Sequence, residues 1–137
     1  MTDTMRKVSY FAMDTADKPG EAVRVLTALS RAGVNLLPFS GSPRKGRSQL
    51  DSIREDDELF RKALRLAGLK VQPKKTGFIV QGDDRPGAVA EVLKKLADAN
   101  INVTAMDGVS AGAGRWAAIL WVKPQSVNKA AKVLQAI

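Results

Sequence analysis

Cysteine and histidine are both absent from this sequence of 137 residues. Without cysteine the chain has no disulfide framework and no thiolate metal site. Without histidine it lacks the commonest general base and the commonest transition-metal ligand. Runs of carboxylates do occur, at Asp83-Asp84 and Asp56-Asp57-Glu58, but turn and helix-cap positions account for them. We therefore expect no catalytic residues, no metal site and no cofactor.

Long apolar runs are also absent. No stretch approaches the roughly 20 apolar residues that span a membrane. The polar start, Met1–Lys7, lacks the apolar core of a signal peptide. A hydrophobic share of 45% is ordinary for a globular protein. The sequence thus predicts a soluble, cytoplasmic protein with no membrane partner.

The net charge of +8 raises the question of an anionic partner such as nucleic acid. The excess is divided along the chain, with +3 over residues 1–68 (12 basic, 9 acidic) and +5 over residues 69–137 (10 basic, 5 acidic). Charge that is evenly spread is typical of a solvated surface rather than of a binding groove. We therefore do not expect a nucleic-acid partner.

An internal repeat is the strongest feature of the sequence. The turn Asp83-Asp84-Arg85-Pro86-Gly87 has an imperfect copy, Ala16-Asp17-Lys18-Pro19-Gly20, located 67 residues earlier. Aligned without a gap, residues 17–36 and 84–103 are identical at 8 of 20 positions: Asp17/Asp84, Pro19/Pro86, Gly20/Gly87, Val25/Val92, Leu26/Leu93, Leu29/Leu96, Ala32/Ala99 and Asn35/Asn102. A repeat of this length indicates one structural module that occurs twice.

Hydrophobic periodicity predicts the order β-α-β-β-α in each copy. For the first copy the predicted elements are a strand Lys7–Met13, a helix from Ala22 to Gly33, an edge strand Leu36–Phe39, a hairpin loop Ser40–Ser48, a strand Gln49–Arg54, a helix from Asp56 or Asp57 to Gly68 with Leu66 inward, and a short strand Leu69–Val71. For the second copy they are a strand Thr76–Gln81, a helix with Val89, Val92, Leu93, Leu96 and Ala97 inward, a strand Asn102–Asp107, a hairpin loop Gly108–Gly114, a strand Arg115–Val122, and a helix Gln125–Ile137 with Ile137 inward.

This order predicts an α+β fold of two ferredoxin-like βαββαβ modules, over residues 1–72 and 73–137, each with an antiparallel sheet and its helices on one face. The second module lacks its last strand in the sequence, which leaves a sheet edge that needs a partner. The strand Arg115–Val122 has apolar residues at both its odd and its even positions. Alternate residues face opposite sides of a sheet, so both faces of this strand should be covered. The two observations together predict association between modules, in a homodimer.

The second copy resembles the ACT domain, a small βαββαβ module that commonly senses amino acids for metabolic enzymes. The residues that carry the resemblance are Asp84-Arg85-Pro86-Gly87 after a strand, the amphipathic helix, and Ala99-Asn-Ile-Asn-Val103 at the entry to the next strand. Asp17-Lys18-Pro19-Gly20 and Ala32-Gly-Val-Asn-Leu36 match in the first copy. The resemblance implies a metabolic enzyme as the regulated target, but no enzyme domain is attached that would identify it.

The resemblance implies an amino-acid site where two modules meet, formed by the loop before the first helix and by the start of the second strand of a neighbour. It marks Gly82, Asp84, Arg85, Pro86, Gly87 and Asn102, with a weaker set of Asp17, Lys18, Pro19, Gly20 and Asn35. The chemistry of the turn suits such a ligand, since Asp84 could bind an α-ammonium and free N–H groups at a helix start suit a carboxylate. The alternative is purely structural: Asp84 caps the helix, Pro86 presets its first turn and Gly87 permits the bend.

Three functions follow from these observations. The first is a regulatory module without catalytic activity, which binds a small amino acid between ACT-like repeats. The second is an RNA-binding protein, suggested by the charge and by Phe78, Trp116 and Trp121 near sheet positions, although Arg115–Val122 lacks the signature of an RNA-recognition motif. The third is a structural interaction module without a ligand.

Overall fold

The computed structural model describes residues 3–16, 19–33, 36–44, 47–54, 57–66, 68 and 75–137. The chain forms two compact units. The first unit is Ser9–Lys75, and the second unit combines Met1–Val8 with Thr76–Ile137. That residues 1–72 and 73–137 form two ACT-like modules stays a prediction. Contacts within the chain assign residues 1–8 to the second unit rather than to the first.

The first unit contains β1 (Thr4–Ala16, of which Ser9–Ala16 belong here), α1 (Glu21–Arg31), β2 (Leu36–Arg44), β3 (Arg47–Arg54) and α2 (Asp57–Leu66). Its strands are antiparallel in the order β2-β3-β1. The predicted loop Ser40–Ser48 is wrong in extent, because β2 and β3 stay paired up to Arg44 and Arg47. The predicted strand Leu69–Val71 lies outside the described residues.

Pro38 sits where the β2–β3 register shifts, between Leu36 and Phe39. Proline has no N–H for a ladder, so an irregular position on an edge strand accommodates it. This agrees with the predicted edge position of that strand, since β2 is outermost in the order of the first unit.

The second unit contains β4 (Lys75–Asp83, of which Thr76–Asp83 belong here), α3 (Ala88–Asp98), β5 (Val103–Gly112), β6 (Arg115–Val122) and α4 (Val127–Leu134), with a 3-10 turn over Pro124–Ser126 before α4. The strand Arg115–Val122 is confirmed at both ends. The predicted loop Gly108–Gly114 is wrong, because β5 continues to Gly112 and pairs there with Arg115. Only Ala113 and Gly114 are left to form the turn.

The second unit does not lack its fourth strand, so the predicted open edge is wrong. The strand order places β1 beside β4, and residues 4–8 of β1 belong to this unit, which gives β1-β4-β6-β5. The backbone of Ile137 pairs with the same segment: its N–H donates to the Met5 carbonyl at 3.1 Å, and the Lys7 N–H donates to its carbonyl at 2.9 Å. Element order along the chain could not reveal this, because the missing strand is supplied by residues 4–8, which lie within the predicted first module. One of the two reasons for expecting a dimer therefore falls.

The core of the second unit lies between this sheet and the helices α3 and α4. Its buried side chains come from β1, β4, β6, α3 and α4 and from the segment between α3 and β5, and they are Met5, Phe78, Val80, Ala88, Val92, Leu96, Ile101, Trp116, Ala118, Leu120, Val122, Ala130 and Leu134. Alternate residues of β6 supply Trp116 through Val122, as the period of two in a strand requires. Ile119 on the opposite face is also buried, as is its cross-strand partner Ile79.

The helical stripe predicted for α3 is correct at two of its positions. Val92 and Leu96 are buried, whereas Val89 is 41% and Leu93 is 37% exposed. Ala97 is exposed as well. Ala88, Val92 and Leu96 share one narrow face at a spacing of four, and that face meets the sheet. The inward positions predicted for Leu66 and Ile137 are also wrong, since these side chains are 79% and 80% exposed.

Candidate ligand-binding site

The Asp83–Gly87 turn joins β4 to α3 and is held by backbone contacts at both ends. The Asp84 N–H donates to the Gly114 carbonyl at 2.8 Å, so the β5–β6 turn supports it. Gly87 has φ of 85° and begins the helix, and its carbonyl accepts the Glu91 N–H at 2.9 Å. A left-handed conformation costs glycine little, which explains glycine at this position. Gly20 repeats it in the first unit with φ of 88°.

Asp84 does not cap α3, contrary to the structural alternative considered from the sequence. No side-chain hydrogen bond caps the helix start within the described residues. The Asp84 carboxylate instead accepts a hydrogen bond from the Ser110 hydroxyl on β5 at 3.1 Å. The side chain is exposed, so oxygen lone pairs remain accessible for a further donor.

Arg85 makes four hydrogen bonds within the second unit. Its guanidinium donates to both carboxylate oxygens of Asp3, at 3.2 and 3.3 Å, and also to the Glu91 carboxylate. A fourth bond reaches the Asp83 carbonyl at 2.9 Å. These bonds raise the pKa of Arg85 above its ordinary value, Asp3 being the largest cause, and keep the side chain cationic. Four of its five N–H donors are therefore used within the protein.

An open groove of about 710 Å³ runs beside this turn. Its walls come from the turn, α3, β5 and β6, and the lining residues are Asp84, Arg85, Gly87, Ala88, Val89, Ala90, Leu93, Gly108, Val109, Ser110 and Trp116. Val89, Leu93 and Val109 expose 41%, 37% and 64% of their surface. The groove thus combines an apolar wall with one accessible carboxylate, which suits a ligand with a cationic end and an apolar part.

The structure brings together only some of the predicted site residues. Asp84, Arg85 and Gly87 line the groove. Pro86 is exposed in the same turn, and Gly82 is buried in β4 behind it. In the first unit Pro19 and Gly20 form the exposed turn before α1. Asp17, Lys18 and Asn35 lie outside the described residues.

Asn102 is remote from the groove of its own unit. It is exposed directly before β5, where Val103 pairs with Val122. Ser110, the contact of Asp84, lies at the other end of the strand, opposite Trp116. Eight residues of extended chain span about 26 Å. A single unit therefore cannot use Asn102 and Asp84 on one small ligand.

Sequence reasoning missed Ser110 and Val109, because they fell in a predicted loop of small residues. It also missed Leu93 and Val89, which it assigned to the core. The pairing of β5 with β6 was the signal that could have located Ser110 and Val109. A two-residue turn at Ala113-Gly114 extends the ladder between these strands to Ser110.

Two of the three aromatic residues that suggested RNA binding, Phe78 and Trp116, are not available for base stacking. Phe78 is fully buried and Trp116 is 4% exposed. Bases stack on exposed aromatic platforms, so this part of the RNA hypothesis is wrong for these two residues. Trp121 is partly buried.

Within the described residues, no group of three or more acidic side chains is placed to hold a metal ion. In the same part of the chain, no helix has the length and apolarity to cross a membrane.

Residues 78–137 match the model of the ACT domain family. The matched segment contains α3, β5, β6 and α4 and most of β4, and therefore the whole groove. The family match does not extend to the first unit. No curated protein sequence matches the chain.

Solved structures share the fold over nearly the full length. A protein from Bacteroides thetaiotaomicron gives a TM-score of 0.81 at 19% identity, covering 97% of this chain and 88% of that one. The ligand-free regulatory subunit of aspartate kinase from Thermus thermophilus gives 0.68 at 16% identity, covering 98% and 95%. The regulatory subunit of aspartate kinase from Thermus flavus gives 0.56 at 16% identity, covering 98% and 94%. Likeness at these identities shows the fold, which is α+β and ACT-like.

Proposed function

We propose that this protein is a regulatory module, without catalytic activity, that binds a small amino acid in the groove beside Asp84. The observation that carries the proposal is the exposed Asp84 carboxylate beside an apolar wall, in the segment that matches the ACT domain. The fold shared with regulatory subunits of aspartate kinase supports a regulatory role and a metabolic enzyme as partner. We propose a cytoplasmic location for the same reason.

The groove offers a contact for each part of an amino acid. Asp84, oriented by Ser110, accepts hydrogen bonds from the α-ammonium. The first turn of α3 carries N–H groups without helical partners, which suit the α-carboxylate. The exposed Leu93 and Val109 contact the side chain of the ligand. Arg85 takes no direct part, because Asp3 and Glu91 already neutralise it.

A second module completes this site in our proposal. The groove is open, and three large apolar side chains are exposed along it. Covering them with a neighbouring module would remove apolar surface from water and enclose the ligand. We propose that Asn102 of a neighbouring chain contacts the ligand in this homodimer, since the Asn102 of the same unit is too far away. The two units act as tandem ACT-like modules, and the turn of the first unit forms a second, weaker site.

Thermal melting against the twenty amino acids tests this proposal. An amino acid at a hundred times its dissociation constant raises stability by about 2.7 kcal/mol. We expect one amino acid or a few related ones to raise the melting temperature by several degrees, and Asp84→Asn to reduce the shift by about half or more, because tenfold weaker binding leaves about 1.4 kcal/mol of stabilisation. Asp107→Asn is the matched control, because Asp107 is exposed on β5 but does not line the groove.

Two results would reject the proposal. One is a panel in which no amino acid changes the melting temperature, which would leave a structural interaction module. The other is salt-sensitive binding of RNA under the same conditions, which would favour the nucleic-acid function instead.

A further inference from the structure

Asp3 binds Arg85 of the Asp83–Gly87 turn, although Asp3 itself does not line the groove. Its side chain is only 7% exposed. Both of its carboxylate oxygens accept hydrogen bonds from Arg85, and Oδ1 lies 3.4 Å from the Trp116 indole nitrogen, which also donates to it. A two-point contact between guanidinium and carboxylate fixes orientation as well as distance. The position of Arg85 is therefore set by a residue far away in the sequence.

Gly82 leaves the space that the Asp3 carboxylate fills. A Cβ atom at Gly82 would lie 1.8 Å from Asp3 Oδ1, well inside van der Waals contact. Any larger residue at this position would displace the carboxylate. Glycine at position 82 is thus explained by the Asp3 contact without any contact to a ligand.

Arg85 connects Asp3 to the backbone of the Asp83–Gly87 turn. The same nitrogen that bonds Asp3, Nη1, donates to the Asp83 carbonyl at 2.9 Å. The Asp83 carbonyl belongs to the peptide that also carries the Asp84 N–H, and that N–H is bonded to Gly114. Asp3, Arg85 and the Asp83 carbonyl therefore form one chain of contacts that ends at the backbone of Asp84.

We propose that Asp3 is a positioning residue of the Asp84 groove, which acts through Arg85 on the Asp83–Gly87 turn. The inference rests on the proposed function for its effect on ligand affinity. A ligand that requires this turn geometry stabilises the docking of Asp3 and the adjoining strand, and docking raises the affinity for the ligand by the same factor. The segment at residues 3–8 is then part of the regulatory site rather than of the sheet alone.

Amide hydrogen exchange without ligand tests the structural step. We expect Asp3→Asn to speed exchange of the Asp84 and Ala88 amides by about tenfold, the size expected for losing a charged contact. The Asn100 and Ile101 amides, bonded to Ala97 and Leu96 at the far end of α3, should not change. Unchanged exchange at Asp84, or equal acceleration at all four amides, would overturn the proposal.

Two further comparisons use matched controls. Glu91→Gln removes the other carboxylate on Arg85, but that side chain is 59% exposed, so exchange at Asp84 should change less than about twofold. Gly82→Ala should reproduce Asp3→Asn, whereas Gly108→Ala should not, because its Cβ would meet the Ala118 Cβ at an ordinary 3.7 Å. The proposal is wrong if Glu91→Gln has the larger effect.

A double-mutant cycle tests the step to affinity, with the amino acid that raises the melting temperature most as the probe. Asp3→Asn should weaken its binding about tenfold, and Asp3→Asn added to Arg85→Gln should weaken it no further. Additive losses would mean that Asp3 does not act through Arg85. If no amino acid binds, the proposed function fails, and hydrogen exchange still decides whether Asp3 orders the turn.

Discussion

At the scale of single residues, Asp84 and Arg85 are neighbours in the Asp83–Gly87 turn but have different roles. Asp84 is exposed and bonded to Ser110, so it is the residue with binding capacity left. Arg85 is committed to Asp3, Glu91 and the backbone. A five-residue motif in the sequence cannot separate these roles, because Asp3, which binds Arg85, and Ser110, which binds Asp84, come from distant segments.

The left-handed conformation of Gly87 gives a direct prediction for stability. Among the described residues nothing lies within 4 Å of the position that a Cβ atom would take there, so Gly87→Ala adds backbone strain without a clash. We expect the free energy of unfolding in urea to fall by about 1–2 kcal/mol. Gly87→Asn should cost clearly less, since asparagine tolerates this conformation. Equal losses for the two variants would show that strain at φ of 85° is not the cause.

At the scale of elements, residues 4–8 of β1 are the part of the fold with the largest consequence. They occupy the position beside β4 that the second copy leaves empty in the sequence. Met5 is 5% exposed and belongs to the core of the second unit. The start of the chain is therefore a structural part of the unit that carries the groove.

Truncating Met5 tests this assignment. Met5→Ala should lower the free energy of unfolding by about 2–5 kcal/mol, the usual range for truncating a buried methionine. Val23→Ala on α1 is the control, because Val23 is 66% exposed and should change stability by less than about 0.5 kcal/mol. A loss for Met5→Ala no larger than that of the control would contradict the placement of this segment.

Local pattern predicted the elements of the second unit well and their ends less well. Arg115–Val122 was recognisable from its continuous apolar run, and Gly87 from its place in a repeated turn. The groove was not predictable in the same way. Val89 and Leu93 are apolar at helical spacing, which favours a buried face, and only the packing of α3 shows that Val92 and Leu96 fill that face. The contacts of Asp3 depend on the position of the adjoining strand residues 4–8 beside β4, which the order of elements along the chain does not reveal.

At the scale of the whole molecule, the two units share one element order, but only residues 78–137 match the ACT domain family. The exposed apolar side chains that we identify lie along the groove at Val89, Leu93 and Val109 and also at sites such as Val23 and Leu66. Those along the groove adjoin Asp84, which is why we assign the contact with a second chain to this surface.

Sedimentation velocity tests the proposed homodimer. The protein should sediment as a dimer, and Val109→Glu should shift it to monomer, because a charge would be buried in an apolar contact. Val23→Glu is the control, since Val23 is similarly exposed on α1 and should leave the dimer intact. A monomeric wild type, or equal effects of both variants, would remove the second chain from the proposed site.

The central claim is that an amino acid binds at Asp84, and titration calorimetry of the wild type, Asp84→Asn and Asp107→Asn tests it most directly. With the amino acid that raises the melting temperature most, we expect saturable binding to the wild type and to Asp107→Asn. Binding should be at least about tenfold weaker for Asp84→Asn, because the ammonium loses a charged partner. Equal affinity for all three proteins would contradict the claim.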